Sequence, residues 1–157
     1  MVNLICGNSS YWRGSGVDLV LTNPYAPLPI CLRDTPMILT DFAERKRQCE
    51  HYAGGELEEI GAWSKDGRCR VWVRNMMPFP IRTNDLFEEE IEPGKGFFPL
   101  ELPLRLLEAY GYQGMTVWDG FMGRGTVGKA CQQLGMKYIG IDLDPKRVEM
   151  ARAYLAC

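Results

Sequence analysis

Asp119 and Asp142 stand at the two ends of a segment that alternates strand, turn, helix and strand, a spacing that brings two carboxylates to neighbouring strand tips. The stretch from Thr116 to Asp142 reads TVWDGFMGRGTVGKACQQLGMKYIGID. Val117 and Trp118 begin a short apolar strand, and Gly120, Gly123 and Gly125 allow a tight turn and a close approach of the backbone to a ligand. Thr126 to Leu134 has helical apolar spacing, which Gly135 stops. Lys137 to Ile141 forms the next strand and delivers Asp142 beside the glycine turn, where open α/β sheets bind ligands.

The glycines run G-x-x-G-x-G after an acid, whereas a pyrophosphate-binding turn needs G-x-G-x-x-G. An aspartate at the turn suits a cationic ligand, and an acid about 20 residues on suits the paired hydroxyls of a ribose. S-adenosylmethionine carries an ammonium, a sulfonium and a ribose, with no phosphate, and matches that pair of acids. The plain alternative is a glycine turn in an ordinary α/β domain that binds nothing. The agreement of strand, turn, helix and acid weighs against it.

Several segments carry a resemblance. DGFMGRGT at Asp119 to Thr126 with YIGIDLDPKRVEMAR at Tyr138 to Arg152 resembles the cofactor half of the DNA amino-methyltransferases, whose usual form there is D-P-F-x-G-S-G-T. VDLVLTNPY at Val17 to Tyr25 is similar to the family's catalytic strand and precedes the cofactor motif, which is the circularly permuted, β-class order. FPLELPLRLLE at Phe98 to Glu108 is similar to the family's H-P-T-Q-K-P-L-x-L-L-E segment over the methionine end of the cofactor, with Phe98 and Leu102 at the His and Lys positions. NLICGNS places Asn8 where the family has an acid beside the adenine. The resemblance implies that Asn8, Phe98, Pro99, Asp119, Gly120, Phe121, Met122, Gly123, Gly125, Thr126, Asp142 and Leu143 hold S-adenosylmethionine, with Phe121 and Leu143 on either side of the adenine.

It also implies a catalytic trio, Asn23, Pro24 and Tyr25. An exocyclic amine on adenine or cytosine is a poor nucleophile because its lone pair is delocalised into the ring. The Asn23 side-chain oxygen and the Pro24 carbonyl can accept the two amine hydrogens and turn the lone pair toward a methyl donor. An aromatic face holds a base that has been flipped from the duplex. The motif reads N-P-Y-A, so Tyr25 replaces the family's second proline and Ala26 takes the usual aromatic position. The implied reaction is methylation of N6 of adenine or N4 of cytosine in DNA. Left open beside it are a cofactor-binding protein that does not turn over, and methylation of RNA bases or protein amides.

The elements that must position these groups alternate strand and helix. That alternation predicts an α/β, Rossmann-like methyltransferase fold: a mostly parallel sheet with helices on both faces, in permuted order. Strands are expected at Asn3 to Cys6, Asp18 to Thr22, Met37 to Leu39, Cys69 to Arg74, Thr116 to Trp118 and Tyr138 to Ile141. Thr40 and Asp41 are expected to cap a helix running to about Tyr52, and Pro103, Thr126 and Pro145 to start three more. The 157 residues, 46% of them hydrophobic, suffice for one domain. Residues 1–75 form its catalytic half, 76–96 a short connecting or recognition segment, and 97–157 its cofactor half.

A net charge of -2 gives no global field for a polyanion, so nucleic-acid affinity must be local. Arg45, Lys46 and Arg47, and Arg68, Arg70, Arg74 and Arg82, either line a cleft or are solvated faces of a helix and a strand. Glu88, Glu89, Glu90 and Glu92 read as an exposed loop. The six cysteines contain no C-x-x-C pair and there is one histidine, His51, so no metal site is expected. They read as mostly buried thiols of a reducing cytoplasm. No apolar run approaches a membrane span and no signal peptide is evident. A homodimer would supply a second recognition surface.

Overall fold

The computed structural model describes residues 1–42, 44–63, 69–76 and 99–156. Among these, seven strands form one sheet: β1 (Val2–Cys6), β2 (Leu19–Thr22), β3 (Met37–Asp41), β4 (Glu58–Ala62), β5 (Arg70–Arg74), β6 (Thr116–Asp119) and β7 (Lys137–Asp142). Their spatial order is β1-β7-β6-β2-β3-β5-β4. The first five in that order are parallel, and β5 runs antiparallel to both β3 and β4. β2 and β3 are buried at every residue, the pattern of strands covered on both faces, and their LVLT and MILTD sequences suit it.

Four helices are described: α1 (Lys46–Ala53), α2 (Glu101–Tyr110), α3 (Thr126–Gln133) and α4 (Pro145–Leu155). Leu102, Leu106 and Leu107 of α2, Val127, Ala130 and Cys131 of α3, and Val148, Ala151 and Leu155 of α4 share one core with Leu19, Leu21, Ile38, Val117 and Tyr138. The other face is covered by Cys49 and Ala53 of α1 and Leu32 of a single 3-10 turn, against Val20, Met37, Leu39, Trp72 and Trp118. The expected fold, a mostly parallel sheet with helices on both faces, is what the chain adopts. Among the described residues the distribution is uneven, with three helices on one face and one on the other.

Several local expectations are corrected. Thr40 and Asp41 do not cap a helix; they finish β3, and α1 begins only at Lys46. Asp41 keeps a cap-like bond nonetheless, accepting the Arg45 backbone N–H at 2.8 Å. α2 starts at Glu101, ahead of Pro103. β4 gave no signal in the sequence, because a charged, single-faced edge strand buries only Ile60 and carries a register shift between Glu59 and Gly61. Cys49, Cys69 and Cys131 are buried as expected, but Cys6 and Cys31 are exposed. Trp63, Trp72 and Trp118 are core residues.

Arg70 pairs with Glu59, and Arg74 donates to the Ala53 carbonyl, so neither belongs to a free basic stripe. Arg68, Arg82 and the Glu88 to Glu92 run lie outside the described residues. Among the described residues no helix is long and apolar enough to cross a membrane, and no group of three or more His, Cys, Asp or Glu could hold a metal.

Candidate functional site

The direction of the sheet's connections reverses between β6 and the central strand β2. Such a switch point opens a crevice at the C-terminal strand ends. Asp119 ends β6, Asp142 ends β7 and Asn23 follows directly after β2, so all three lie along this one edge.

Asp119 is 1% exposed. Its Oδ1 accepts from Thr22 Oγ1 at 2.6 Å and from the Phe121 N–H at 3.3 Å, and its Oδ2 accepts from Tyr138 Oη at 3.0 Å. These are neutral donors. Burial pushes the Asp119 carboxyl up to about 6, the three hydrogen bonds pull it back in part, and the charge of Asp142 adds to the rise. A carboxylate held this way is poised to gain from an arriving cation.

Asp142 accepts from two backbone N–H groups, Gly123 at 3.0 Å on Oδ2 and Asp144 at 2.9 Å on Oδ1. Each carboxylate oxygen has a second lone pair, which leaves acceptors for a pair of hydroxyls. Gly123 has φ 55° and Gly125 φ 91°, the left-handed region where glycine alone is unstrained. A Cβ on Gly123 would meet nothing within 4 Å, whereas one on Gly120 would lie 2.3 Å from the Trp118 ring. Gly123 therefore leaves open space, and Gly120 makes room for protein. Gly125 caps α3, Thr126 is its first residue, and Met122 is buried, its backbone N–H bonded to the Ile141 carbonyl at 3.1 Å.

Around these acids stand apolar surfaces. Leu143 is 68% exposed at the end of β7, and Phe121 is half-buried. Asn8 ends the loop after β1, and its Oδ1 accepts from the Ser10 N–H at 3.0 Å, capping a short turn at Ser9–Tyr11. Pro99 is half-buried ahead of α2, while Phe98 lies outside the described residues. Asp144 caps α4 by accepting from the Lys146 N–H, with Pro145 at its first position.

Asn23 is 4% exposed, Pro24 is buried, and Tyr25 is 61% exposed. The Tyr25 ring stands edge-on to Phe121 at 6.3 Å, so the residue after the Asn-Pro pair borders the glycine turn. Because Thr22 donates to Asp119 and Asn23 is its neighbour, the acid pair and the asparagine form one continuous edge.

Sequence reasoning missed Thr22, Tyr138 and Asp41 as members of this cluster and had Arg45 only within a basic series that either lines a cleft or is a solvated helix face. Thr22 and Tyr138 hold Asp119. Arg45, held by Asp41, reaches Asn23: its Nη2 donates to Asn23 Oδ1 at 3.1 Å and its guanidinium lies 4.7 Å over the Tyr25 ring. The one local signal was an acid four residues before Arg45; nothing in the sequence ties either to residue 23.

This geometry coincides with relationships across the chain. The model of a family described as DNA methylase matches residues 43–153. The type II methyltransferase M.Cfr9I of Citrobacter freundii is 32% identical over 141 residues, 85% of this chain and 42% of that protein. The chain spans less than half the length of the curated relatives it matches. Two solved structures share the fold over nearly all of both chains: TTHA0409 of Thermus thermophilus in complex with S-adenosyl-L-methionine, with a TM-score of 0.67 at 18% identity, 99% of this chain and 93% of that one, and M1.HpyAVI, with 0.66 at 18% identity and 100% of each.

Proposed function

The chain belongs to the DNA methylase family, and on that footing we propose that it moves a methyl group from S-adenosylmethionine to the exocyclic amine of a DNA base, N6 of adenine or N4 of cytosine. The observation that carries this reading is the single edge formed by Asn23, Asp119 and Asp142 at the switch point. The catalytic strand precedes the cofactor strands in the chain, which supports the permuted, β-class order and a division into a catalytic half at 1–75 and a cofactor half at 97–157.

The residues present fit the cofactor. Asp119, buried among neutral donors, gains a counter-charge from the ammonium end. Asp142 has lone pairs left for the ribose hydroxyls, and Gly123 leaves space beside it. Leu143 and Phe121 offer apolar faces for the adenine, Asn8 lies nearby along the strand ends, and Pro99 together with Phe98 would cover the methionine end. When bound, the cofactor supplies an electrophilic methyl on a sulfonium.

Asn23 Oδ1 and the Pro24 carbonyl accept the two amine hydrogens and draw the nitrogen lone pair out of conjugation, so that it faces the methyl. The exposed Tyr25 ring stacks on the flipped base. As the new C–N bond forms, the methyl–sulfur bond would break to leave a neutral thioether, and the surplus amine proton leaves to water. With Arg70 and Arg74 engaged by groups of the same chain, a second copy of the chain is the fitting source of a further DNA-facing surface.

The test is transfer of a labelled methyl from S-adenosylmethionine to unmethylated DNA, with the product base identified chromatographically. Incorporation that disappears in Asn23→Ala, with cofactor binding retained, supports the reading. A wild-type protein that binds the cofactor yet labels no DNA removes it.

A further inference from the structure

The hydrogen bonds of Arg45 and Asp41 go beyond what methyl transfer alone requires. Asp41, at the end of β3, is 1% exposed. Arg45 grips it by three routes: Nε to Oδ1 at 2.8 Å, Nη2 to Oδ1 at 2.7 Å, and the backbone N–H to Oδ2 at 2.8 Å. The chain reaches Arg45 through Glu44, whose φ of 24° lies outside the common regions for a residue with a side chain. The guanidinium is therefore anchored, and its Nη2 donates to Asn23 Oδ1 at 3.1 Å. On the other side of the same amide, Asn23 Nδ2 faces Tyr25 Oη at 3.4 Å.

An asparagine amide presents an acceptor on one side and two donors on the other, in nearly the same shape. If the amide of Asn23 turned over, the target amine would meet N–H groups in place of an oxygen. A guanidinium has only donors, so the atom facing Arg45 has to be the oxygen. That oxygen carries two lone pairs; Nη2 takes one and the other remains for the incoming amine.

We propose that Arg45 is a positioning residue for Asn23: anchored by Asp41, it fixes the amide with its oxygen as the acceptor and its nitrogen turned to Tyr25. The role rests on the reading of Asn23 as the amine acceptor. It also explains why a buried carboxylate paired with a half-buried arginine is built at the tip of β3, next to the catalytic strand and facing the crevice.

The test replaces Arg45→Met together with Asp41→Asn, which removes both charges of the ion pair at once and guards against loss of folding, in two backgrounds. With Asn23 present, kcat falls roughly 100-fold, while cofactor affinity and the KM for DNA stay within about threefold. In Asn23→Asp, whose two oxygens are equivalent, the same replacement costs no more than about threefold in kcat. Equal losses in both backgrounds, or a loss confined to KM, overturn the proposal. The Asn23 side-chain amide protons, assigned by their disappearance in Asn23→Asp, supply a readout that needs no turnover. They exchange slowly in the wild type and faster once Arg45 and Asp41 are replaced; unchanged exchange also overturns it. If the wild type methylates no DNA, the proposed function fails by itself, and the amide exchange still decides whether Arg45 sets Asn23.

Discussion

Tyr138 lies along its own strand to reach Asp119: its hydroxyl meets Asp119 Oδ2 at 3.0 Å, although Asp119 pairs in register with Gly140, two residues further along β7. The ring crosses Gly140 and Gly128, where an added Cβ would fall 2.6 Å from Tyr138 Cε1 in each case. Two glycines from a strand and a helix thus clear the path of one tyrosine to one carboxylate.

Removing only that hydroxyl tests the link. Tyr138→Phe keeps the ring packed but leaves buried Asp119 short of a donor, so unfolding experiments should show a loss of about 1–3 kcal/mol. Because the lost bond stabilises the ionised form, the Asp119 carboxyl rises further above about 6. Cofactor affinity in the variant then begins to fail at a higher pH than in the wild type, as calorimetry across pH will register.

The raised Asp119 carboxyl sets a pH dependence with a definite sign. Its ordinary value is 3.8 and in the fold it is about 6, so between these values the folded chain holds a proton that the unfolded chain releases. Stability from this group is highest below the lower value and falls as pH rises through the window, by at most about 3 kcal/mol, then levels off. Cofactor affinity runs the opposite way, because the cation needs the carboxylate: it rises through about pH 6 and then flattens. Asp119→Asn removes both trends, and an affinity that is flat with pH in the wild type would count against Asp119 as the partner of the ammonium.

Gly128→Ala sets two effects of opposite sign against each other. Within a helix, alanine is favoured over glycine by about 1 kcal/mol. Here the new methyl meets Tyr138 Cε1 at 2.6 Å, Cδ1 at 2.8 Å and Leu155 Cδ1 at 3.1 Å, and overpacking of a rigid ring costs about 1–3 kcal/mol. The clash prevails, so denaturant midpoints fall. Tyr138 is displaced from Asp119 at the same time, and the pH profile of cofactor affinity shifts upward as it does for Tyr138→Phe.

What could be read in advance followed how local each feature is. The acids at the tips of β6 and β7 belong to one strand, turn, helix and strand unit, so their neighbourhood is encoded within a short stretch, and Gly125, Thr126, Asp144 and Pro145 mark its helix starts by type. Arg45 and Asn23 meet only because β2 and β3 pair in parallel and α1 begins late, a long-range outcome that no local spacing announces. Tyr138 looked like an ordinary strand aromatic because its function is its polar tip, two residues away from its own Cα. β4 was invisible because three of its residues, Glu58, Glu59 and Gly61, lack strand preference, and pairing with β5 supplies what they do not.

Asp142→Asn is the sharpest test of the second acid. One Asp142 oxygen accepts from the Gly123 N–H and the other from the Asp144 N–H, at 3.0 and 2.9 Å. An amide has one oxygen, so whichever way it turns, its NH2 faces a backbone N–H and a donor is set against a donor. The residue is buried, so water does not readily relieve the conflict, and the change should cost about 1–3 kcal/mol in unfolding experiments despite being nearly isosteric. Asp142→Ala removes both acceptors without opposing them, and its loss should be no greater than that of the asparagine. Asp142→Ala takes away the anchor of the Gly123 turn and the ribose's acceptors, while Asp142→Asn leaves a single oxygen for all of them, so in each variant cofactor affinity drops by at least about tenfold, or about 1.4 kcal/mol. An Asp142→Asn protein as stable as the wild type would show that the two N–H contacts are incidental to the turn.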